Sequence, residues 1–393
     1  MHSGAAARSD SAPAFVPTPF AAAVAAAKDK ATGAGYVVGD EVNDDLVLAR
    51  TLLGAVLAAV DGSVVGLSWA VAVMRGPSGT GVFITSNEGR GWLPAGLFLP
   101  HEVSTPWLWD EVLGADDGDG RASVRWEGIS DPARILVEFA EMWGPLADAR
   151  LSALASSGPI DSSLRARLDE VAVAGMVGPT FDIDLRVPAS GTADRLRVAG
   201  SAPALENAAA VEDSRLRQKC IELAVQAHER LGQGPPAAAE ARIMRERILA
   251  VIQAGEQVPS SWWEELRDAD HLLAAAMVPR RADVGRVELG QLRADSADPV
   301  LSQLVFERRC DELVLLLEGE QTRQHLRDAT YAHDQIVRHP IFAAAPVQVS
   351  VGDTRQVGGA ASSGGVVIAP SDTVPPPIAV ADRDVTGPRR TDA

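Results

Sequence analysis

Between Leu46 and Val60 the apolar positions keep a helical spacing. Leu46, Leu53, Val56, Leu57 and Val60 share one stripe, and Val47 and Leu52 widen it. A stripe that broad predicts a largely buried helix. Asn43 and Asp44 precede it with short side chains that can accept hydrogen bonds from its first free amides, and Asp61-Gly62 ends it. From Val64 to Met74 the period changes. Leu67, Trp69, Val71 and Val73 are apolar on one alternation, Ala70, Ala72 and Met74 on the other. A strand with no polar side predicts cover on both faces. Gly76-Pro77-Ser78-Gly79 is turn chemistry and Val82 to Thr85 is a second β-rich run, which predicts a hairpin. A lone hairpin is marginal in water, so this one needs further strands or packed helices.

Downstream, Gly89, Gly91 and Gly96 alternate with Trp92, Leu93, Leu97, Phe98 and Leu99, predicting a loop from Asn87 to Pro100 that folds back onto the core. Pro106 to Leu113 reads as a helical turn and Ser123 to Trp126 as a further strand. Ser130-Asp131-Pro132 joins a capping side chain to a proline where no amide partner is needed, opening a helix to about Trp143. Residues 146–190 read as a junction, with Pro159-Ile160-Asp161 capping a helix to Ala174 and a strand from Thr180 to Val187. From 191 to 340 the pattern is helical, with helices expected at 203–231, 237–254, 261–278, 299–317 and 321–338. Ser261 with Glu264 has the letters of a capping box, and Asp298-Pro299 repeats the earlier helix start. Short breaks between long amphipathic helices favour antiparallel packing. The expected fold is α+β: a small N-terminal sheet with packed helices over 41–145, the junction, then a helical bundle. Residues 1–40, with a short helix over Ala21 to Ala31, and residues 341–393 read as disordered termini.

Composition narrows the function classes. The chain has 393 residues, enough for two or three domains, and 46% hydrophobic residues, which excludes wholesale disorder. A net charge of −17 argues against a nucleic-acid groove and against anionic membrane surfaces. No apolar run reaches the roughly 20 residues needed to span a bilayer. The N-terminus lacks a basic region followed by an apolar core, so a Sec signal peptide is not expected and a cytoplasmic location is. Cys220 and Cys310 each lie on an apolar helical stripe, which predicts two buried thiols and neither a disulfide nor a nucleophile.

Candidate chemistry is sparse. The seven histidines sit in no nucleophile or zinc motif, and His325 and His333 lie about 80° apart around a helix, awkward for one metal. Gly89 and Gly91 could cradle an anion through backbone amides, but the Walker lysine-serine pair and the third dinucleotide-fold glycine are missing. A helix followed by a hairpin and another helix is how zinc nucleobase deaminases begin. Their His- or Cys-x-Glu and Pro-Cys-x-x-Cys are absent here, where His101 and Glu102 are adjacent and neither cysteine has a second one nearby. No catalytic, metal or cofactor-binding residue is assigned. Trp107, Trp109, Trp262 and Trp263 form two pairs near expected helix starts. One member of each is expected in the core, the other as a protein-binding anchor.

The block from Leu46 to Pro100 resembles mycobacterial proteins associated with type VII (ESX) secretion, of the EspK kind and its shorter relatives. The phrases that carry it are Arg50-Thr51-Leu52-Leu53-Gly54, Ser68-Trp69-Ala70-Val71 and Gly89-Arg90-Gly91-Trp92-Leu93-Pro94. Trp126-Glu127-Gly128, Asp131-Pro132-Ala133-Arg134 and Leu304-Val305-Phe306-Glu307-Arg308-Arg309-Cys310 extend it over residues 40 to 340. The resemblance implies two domains of unassigned biochemistry, an actinobacterial source and a role in assisting or accompanying ESX export through protein contacts. It carries over no catalytic residue. Family members often have a long proline-rich lead, where about 40 residues stand here. Trp126-Glu127-Gly128 and Tyr36 with Asp40 match the type VII export signal by letters. The tyrosine comes first, however, and Val37-Val38-Gly39 is poor helix material. The expected function is therefore a non-enzymatic interaction component, chaperone-like or co-exported, with ESX proteins or their substrates as partners. Two alternatives stand beside it: an enzyme with a small-molecule pocket at the 87–100 loop, and a secreted effector or structural protein.

Overall fold

The computed structural model describes residues 24–26, 43–60, 66–77, 79–113, 126–232, 234–281 and 299–339. The fold is α+β. Helix α1 (Asp44–Ala59) is capped by Asn43, whose Oδ1 accepts from the amides of Asp45 and Leu46 at 3.0 Å each. Strands β1 (Trp69–Gly76) and β2 (Gly79–Ser86) form the expected hairpin, with Trp69 opposite Ser86. Then come β3 (Phe98–Pro100), β4 (Val103–Ser104), α2 (Pro106–Leu113) and α3 (Pro132–Trp143). After α3 the chain returns as β5 (Arg150–Ser156), a short α4 (Ser162–Ala166) and β6 (Ala172–Ala174). Strands β1, β2, β4, β5 and β6 make one sheet in the order β4-β2-β1-β5-β6. β1 runs antiparallel to both β2 and β5, and the pairs β2–β4 and β5–β6 are parallel.

The two apolar alternations of β1 feed two different cores. Trp69, Val71 and Val73 pack under α1 with Leu52, Leu53, Val56 and Ile84. Ala70, Ala72 and Met74 face the other way, against Ile135, Leu136 and Phe139 of α3 with Trp107 and Trp126. This is the two-sided cover that an unbroken apolar strand requires.

Next come β7 (Thr192–Asp194), α5 (Arg195–Ala199), α6 (Ala202–Ala210), α7 (Leu216–Arg230), α8 (Ala239–Gln253), α9 (Ser260–Met277), α10 (Pro299–Leu315) and α11 (Arg323–Val337). The long helices share a third core built on Cys220, Ile248, Leu266, Leu304, Leu313 and Ile336. Both cysteines are free and buried, Cys310 at 0% exposure. Among the described residues no helix is long and apolar enough to cross a membrane.

Several expectations need correction. Residues 150–156, inside the expected junction, form the strand beside β1. Their run Arg-Leu-Ser-Ala-Leu-Ala-Ser is alanine-rich and weak in strand propensity, and burial between two helical layers makes it a strand. The helix from Asp161 stops at Ala166, and Ala172–Ala174 pairs with β5 instead of continuing it. Thr180 to Val187 is no strand. Its backbone bonds go elsewhere: the Thr180 amide donates to the Gly54 carbonyl at 2.9 Å, and the Leu185 carbonyl accepts from the Phe98 amide at 2.8 Å. The expected helix 203–231 is two helices, broken at an extended Val211. Arg323 holds the break by donating to the carbonyls of Ala208 and Val211. The Ser261–Glu264 capping box does not form, because the helix already begins at Ser260 with Pro259 as its cap; Thr322 and His325 form a capping box instead. Trp126 lies in a turn at φ 62°, and residues 123–125 of that expected strand are outside the described residues. Outside them too lie Asp298, Tyr36 to Asp40, the tail 341–393 and the arm 1–40 apart from a helical turn at 24–26.

Candidate functional site

The Asn87–Pro100 loop sits at the centre of the molecule's charge chemistry. Its apolar residues turn inward: Trp92, Leu93, Leu97 and Leu99 all join the core under α1. Gly91 takes φ +60°, and a Cβ there would stand 3.0 Å from Thr105, so this corner requires glycine. Its polar groups are met by helices far away in sequence. Tyr331 of α11, fully buried, donates its hydroxyl to the Gly91 carbonyl at 3.1 Å and accepts from the Leu93 amide at 3.2 Å. The β3–β7 pairing, with Phe98 opposite Asp194, delivers Arg195 beneath the loop. There Arg195 donates to the Leu93 carbonyl at 3.0 Å, to Asp328 at 2.7 Å, and to Glu312.

Glu88 is the focus of a second cluster. Arg281 and Arg309 donate to its two oxygens at 2.8 and 2.7 Å. Arg308 lies 2.7 Å away without hydrogen-bond alignment, so that contact is Coulombic. Burial alone would raise the Glu88 carboxyl, but the three guanidinium groups outweigh it and hold it at about 2. Arg309 also stacks over the Trp92 ring at 4.3 Å and shares Glu312 with the Trp92 indole N–H. Arg308 forks onto Asp270 at 2.9 and 3.1 Å. Deeper among the helices, Arg245 pairs with Glu307 and Asp311. Burial pushes the Asp311 carboxyl up to about 7, against the pull of Arg245.

This seam takes up polar groups of the loop, from the Leu93 carbonyl to the Glu88 carboxylate beside it. A small space beside the loop, lined by Arg90, Thr105, Trp107, Asp334 and Arg338, measures about 10 Å³, room for one water.

A larger cleft of about 440 Å³ opens on the other side of Asn87. The Asn87 side chain accepts from the Ser68 amide at 3.0 Å and donates to the carbonyls of Gly66 at 2.8 Å and Ser130 at 3.3 Å, tying three segments into one wall. The cleft is lined by Ser68, Ser130, Asp131, Ser156, Asp161 and Ser162 among others. Asp131 caps α3 through the Ala133 amide at 2.9 Å, and Asp161 caps α4 through the Ser163 amide at 2.6 Å. Burial raises the Asp131 carboxyl, whereas the Ser163 hydrogen bonds lower that of Asp161. The charge of the buried Arg134 pulls both down.

The expected tryptophan anchors are unevenly placed. Trp107 and Trp263 are buried at 5% and 7% exposure. Trp109 is half-buried, its indole bonded to the Ser104 hydroxyl at 3.2 Å and its ring edge-on to Phe83. Trp262 is also half-buried, under the Arg247 guanidinium at 4.1 Å. Several other large apolar side chains reach solvent, and the sequence marks Phe181 only as part of the apolar side of the expected 180–187 strand. Met176, Phe181 and Val187 are 72%, 82% and 58% exposed on one short segment. No sequence signal separates them, since Phe181, Ile183, Leu185 and Val187 alternate without a break and only Ile183 and Leu185 pack inward.

His325 is used in the α11 cap, and His339 is buried against Glu127 at 2.8 Å. Among the described residues no group of three histidine, cysteine or acidic side chains could hold a metal ion. No family model matches the chain, and no curated protein matches it.

Proposed function

We propose that this chain is a non-enzymatic protein-interaction component associated with type VII (ESX) secretion, chaperone-like or co-exported, acting in the cytoplasm on ESX proteins or their substrates. The secretion context rests on the sequence resemblance. The mode of action rests on one observation: three large apolar side chains, Met176, Phe181 and Val187, stand in solvent on a single twelve-residue segment. Large apolar side chains left in solvent along one segment are candidate contact sites, and aromatic members dominate binding energy. The segment is firmly held, because the amides of Met176 and Val177 donate to the carbonyls of Gly158 and Ser156 at 2.9 and 3.0 Å. Its exposed side chains are thus presented on a fixed backbone, which lowers the entropy cost of docking.

Support for the non-enzymatic reading comes from the seam. Glu88, Arg308 and Arg309, and Arg195 with Glu312, are committed to one another and to the backbone of the loop, and Arg245 to Glu307 and Asp311.

The test is co-purification from the native host with the wild-type chain and a Phe181→Asp, Met176→Ser variant. Wild type should retain an ESX component or substrate and the variant should lose it while keeping its thermal midpoint. Absence of ESX proteins among stable partners, or equal retention by both chains, would overturn the reading.

A further inference from the structure

We infer that the 440 Å³ cleft beside Asn87 is a binding site for an uncharged, hydroxyl-rich small molecule, a sugar or polyol. Its size falls in the range of small-molecule sites, roughly 300–1,000 Å³. The lining chemistry selects the ligand by elimination and then by fit.

An anion is disfavoured. No lysine, arginine or histidine lines the cleft, and two carboxylates do. The start of α3 offers an anion little. Its first residue, Pro132, has no N–H, and the Ala133 amide is already taken by Asp131. A metal ion has too few ligands, as the two aspartates lack a third acidic, histidine or cysteine partner among the described residues. An organic cation gains less than two carboxylates suggest, because buried Arg134 offsets their charge from behind.

What the walls do offer is hydrogen bonding in both directions. Ser156 is 1% exposed, and its hydroxyl oxygen accepts from the Gly158 amide at 3.1 Å. The hydroxyl proton of Ser156 has no acceptor among the described residues, so a buried donor is left for an incoming oxygen. Each capping carboxylate has about four lone-pair sites, and a helix cap uses only some of them. Ligand hydroxyls can donate to the remainder. Pro132 and Pro159 add apolar ring faces beside these polar groups, suited to the C–H face of a sugar ring. The Asn87 cross-links to Gly66, Ser68 and Ser130 fix one wall in advance, so little ordering is left to ligand binding.

Titration of the full-length chain with glucose, maltose and myo-inositol, followed by the backbone amide resonances of Gly158, Asp161 and Ser163, tests it. Inorganic phosphate and putrescine serve as the charged comparisons. At least one neutral ligand should give saturable shifts confined to the cleft, with the charged probes giving none there. Ser156→Ala should weaken that affinity roughly two- to tenfold, the worth of one neutral hydrogen bond. Asp161→Asn, which keeps a capping side chain, should also weaken it while leaving the amide spectrum of the sheet core intact. No saturable shift with any neutral ligand, stronger binding of phosphate or putrescine, or full affinity in both variants would overturn the assignment.

Discussion

The sheet and the seam hold together by opposite means. Under and over β1 the contacts are almost wholly apolar, with Val71 and Val73 on one side and Ala72 and Met74 on the other. Where the 87–100 loop meets the helices, the contacts are arginine and carboxylate groups as deeply buried as any valine. The Arg195 and Glu88 side chains are 0% exposed. Apolar burial is tolerant, contributing about 25 cal/mol per Å² whatever the partner. A buried ion network has no such tolerance: the desolvation of each charge is offset only by its own partners, and removing one partner strands the others. The sheet core therefore supplies stability, while the seam fixes which backbone meets which helix.

Glu88→Gln is the sharpest way to break the comparison. It leaves Arg281, Arg308 and Arg309 without their shared carboxylate, and should destabilise the chain by roughly 3–5 kcal/mol in urea unfolding. A loss below about 1 kcal/mol would show that the network is an accessory. In the helical core, Trp263→Ala should cost about 3 kcal/mol as a cavity, whereas Trp262→Ala, which loses a half-buried cation–π contact, should cost about 1 kcal/mol or less. Equal losses would contradict the placement of the pair.

Acidification separates three groups, Glu88, His333 and Asp311, by sign. Glu88, held at about 2 against an ordinary 4.5, contributes stability that is present above 4.5 and is lost as pH falls towards 2. Burial depresses His333 from 6.5 to about 4, so its neutral form favours folding above 6.5 and that contribution declines between 6.5 and 4. Asp311, raised by burial from 3.8 to about 7, acts oppositely: its contribution is complete below 3.8 and fades as pH rises through 7. The last two oppose each other over the same range. His333→Gln should therefore leave a thermal midpoint that falls from pH 4 to 7, and Asp311→Asn one that rises from pH 4 to 6.5. Matching profiles for the two variants would refute the assignment. The smallest effect on stability is expected at Phe181, where replacement by Ser should shift unfolding by no more than about 0.5 kcal/mol, because the ring is 82% exposed.

The apolar half of this architecture was legible in the sequence and the charged half was not. Alternation at Trp69 to Met74 marks a strand covered on both faces, and Asn43 and Asp131 mark their helix starts by capping chemistry alone. Strand β5 escaped because alanine carries little strand signal, so Ala153 and Ala155 become strand residues only through the neighbours that bury them. The seam escaped for a different reason. On α10, Glu307, Arg308, Arg309, Asp311 and Glu312 have the composition of a solvated helix face. Their partners Glu88, Arg195, Arg245 and Asp270 lie between 38 and 221 positions away. Periodicity reports which face is apolar, and no spacing rule reports a charge that will be buried by a distant segment. The cleft was likewise hidden, since Asp131 and Asp161 are fully explained as helix caps until the fold sets them across one cavity.

The central claim is that the seam makes the loop and the helices one cooperative unit, and amide hydrogen exchange of Leu93 tests it most directly. That amide donates to the buried Tyr331 hydroxyl, reached only across the seam. The account predicts that it exchanges with the same opening free energy as the core amides of α10, in a single global event. Rapid exchange of Leu93 while the α10 amides stay protected would show that the loop opens independently, and would contradict it.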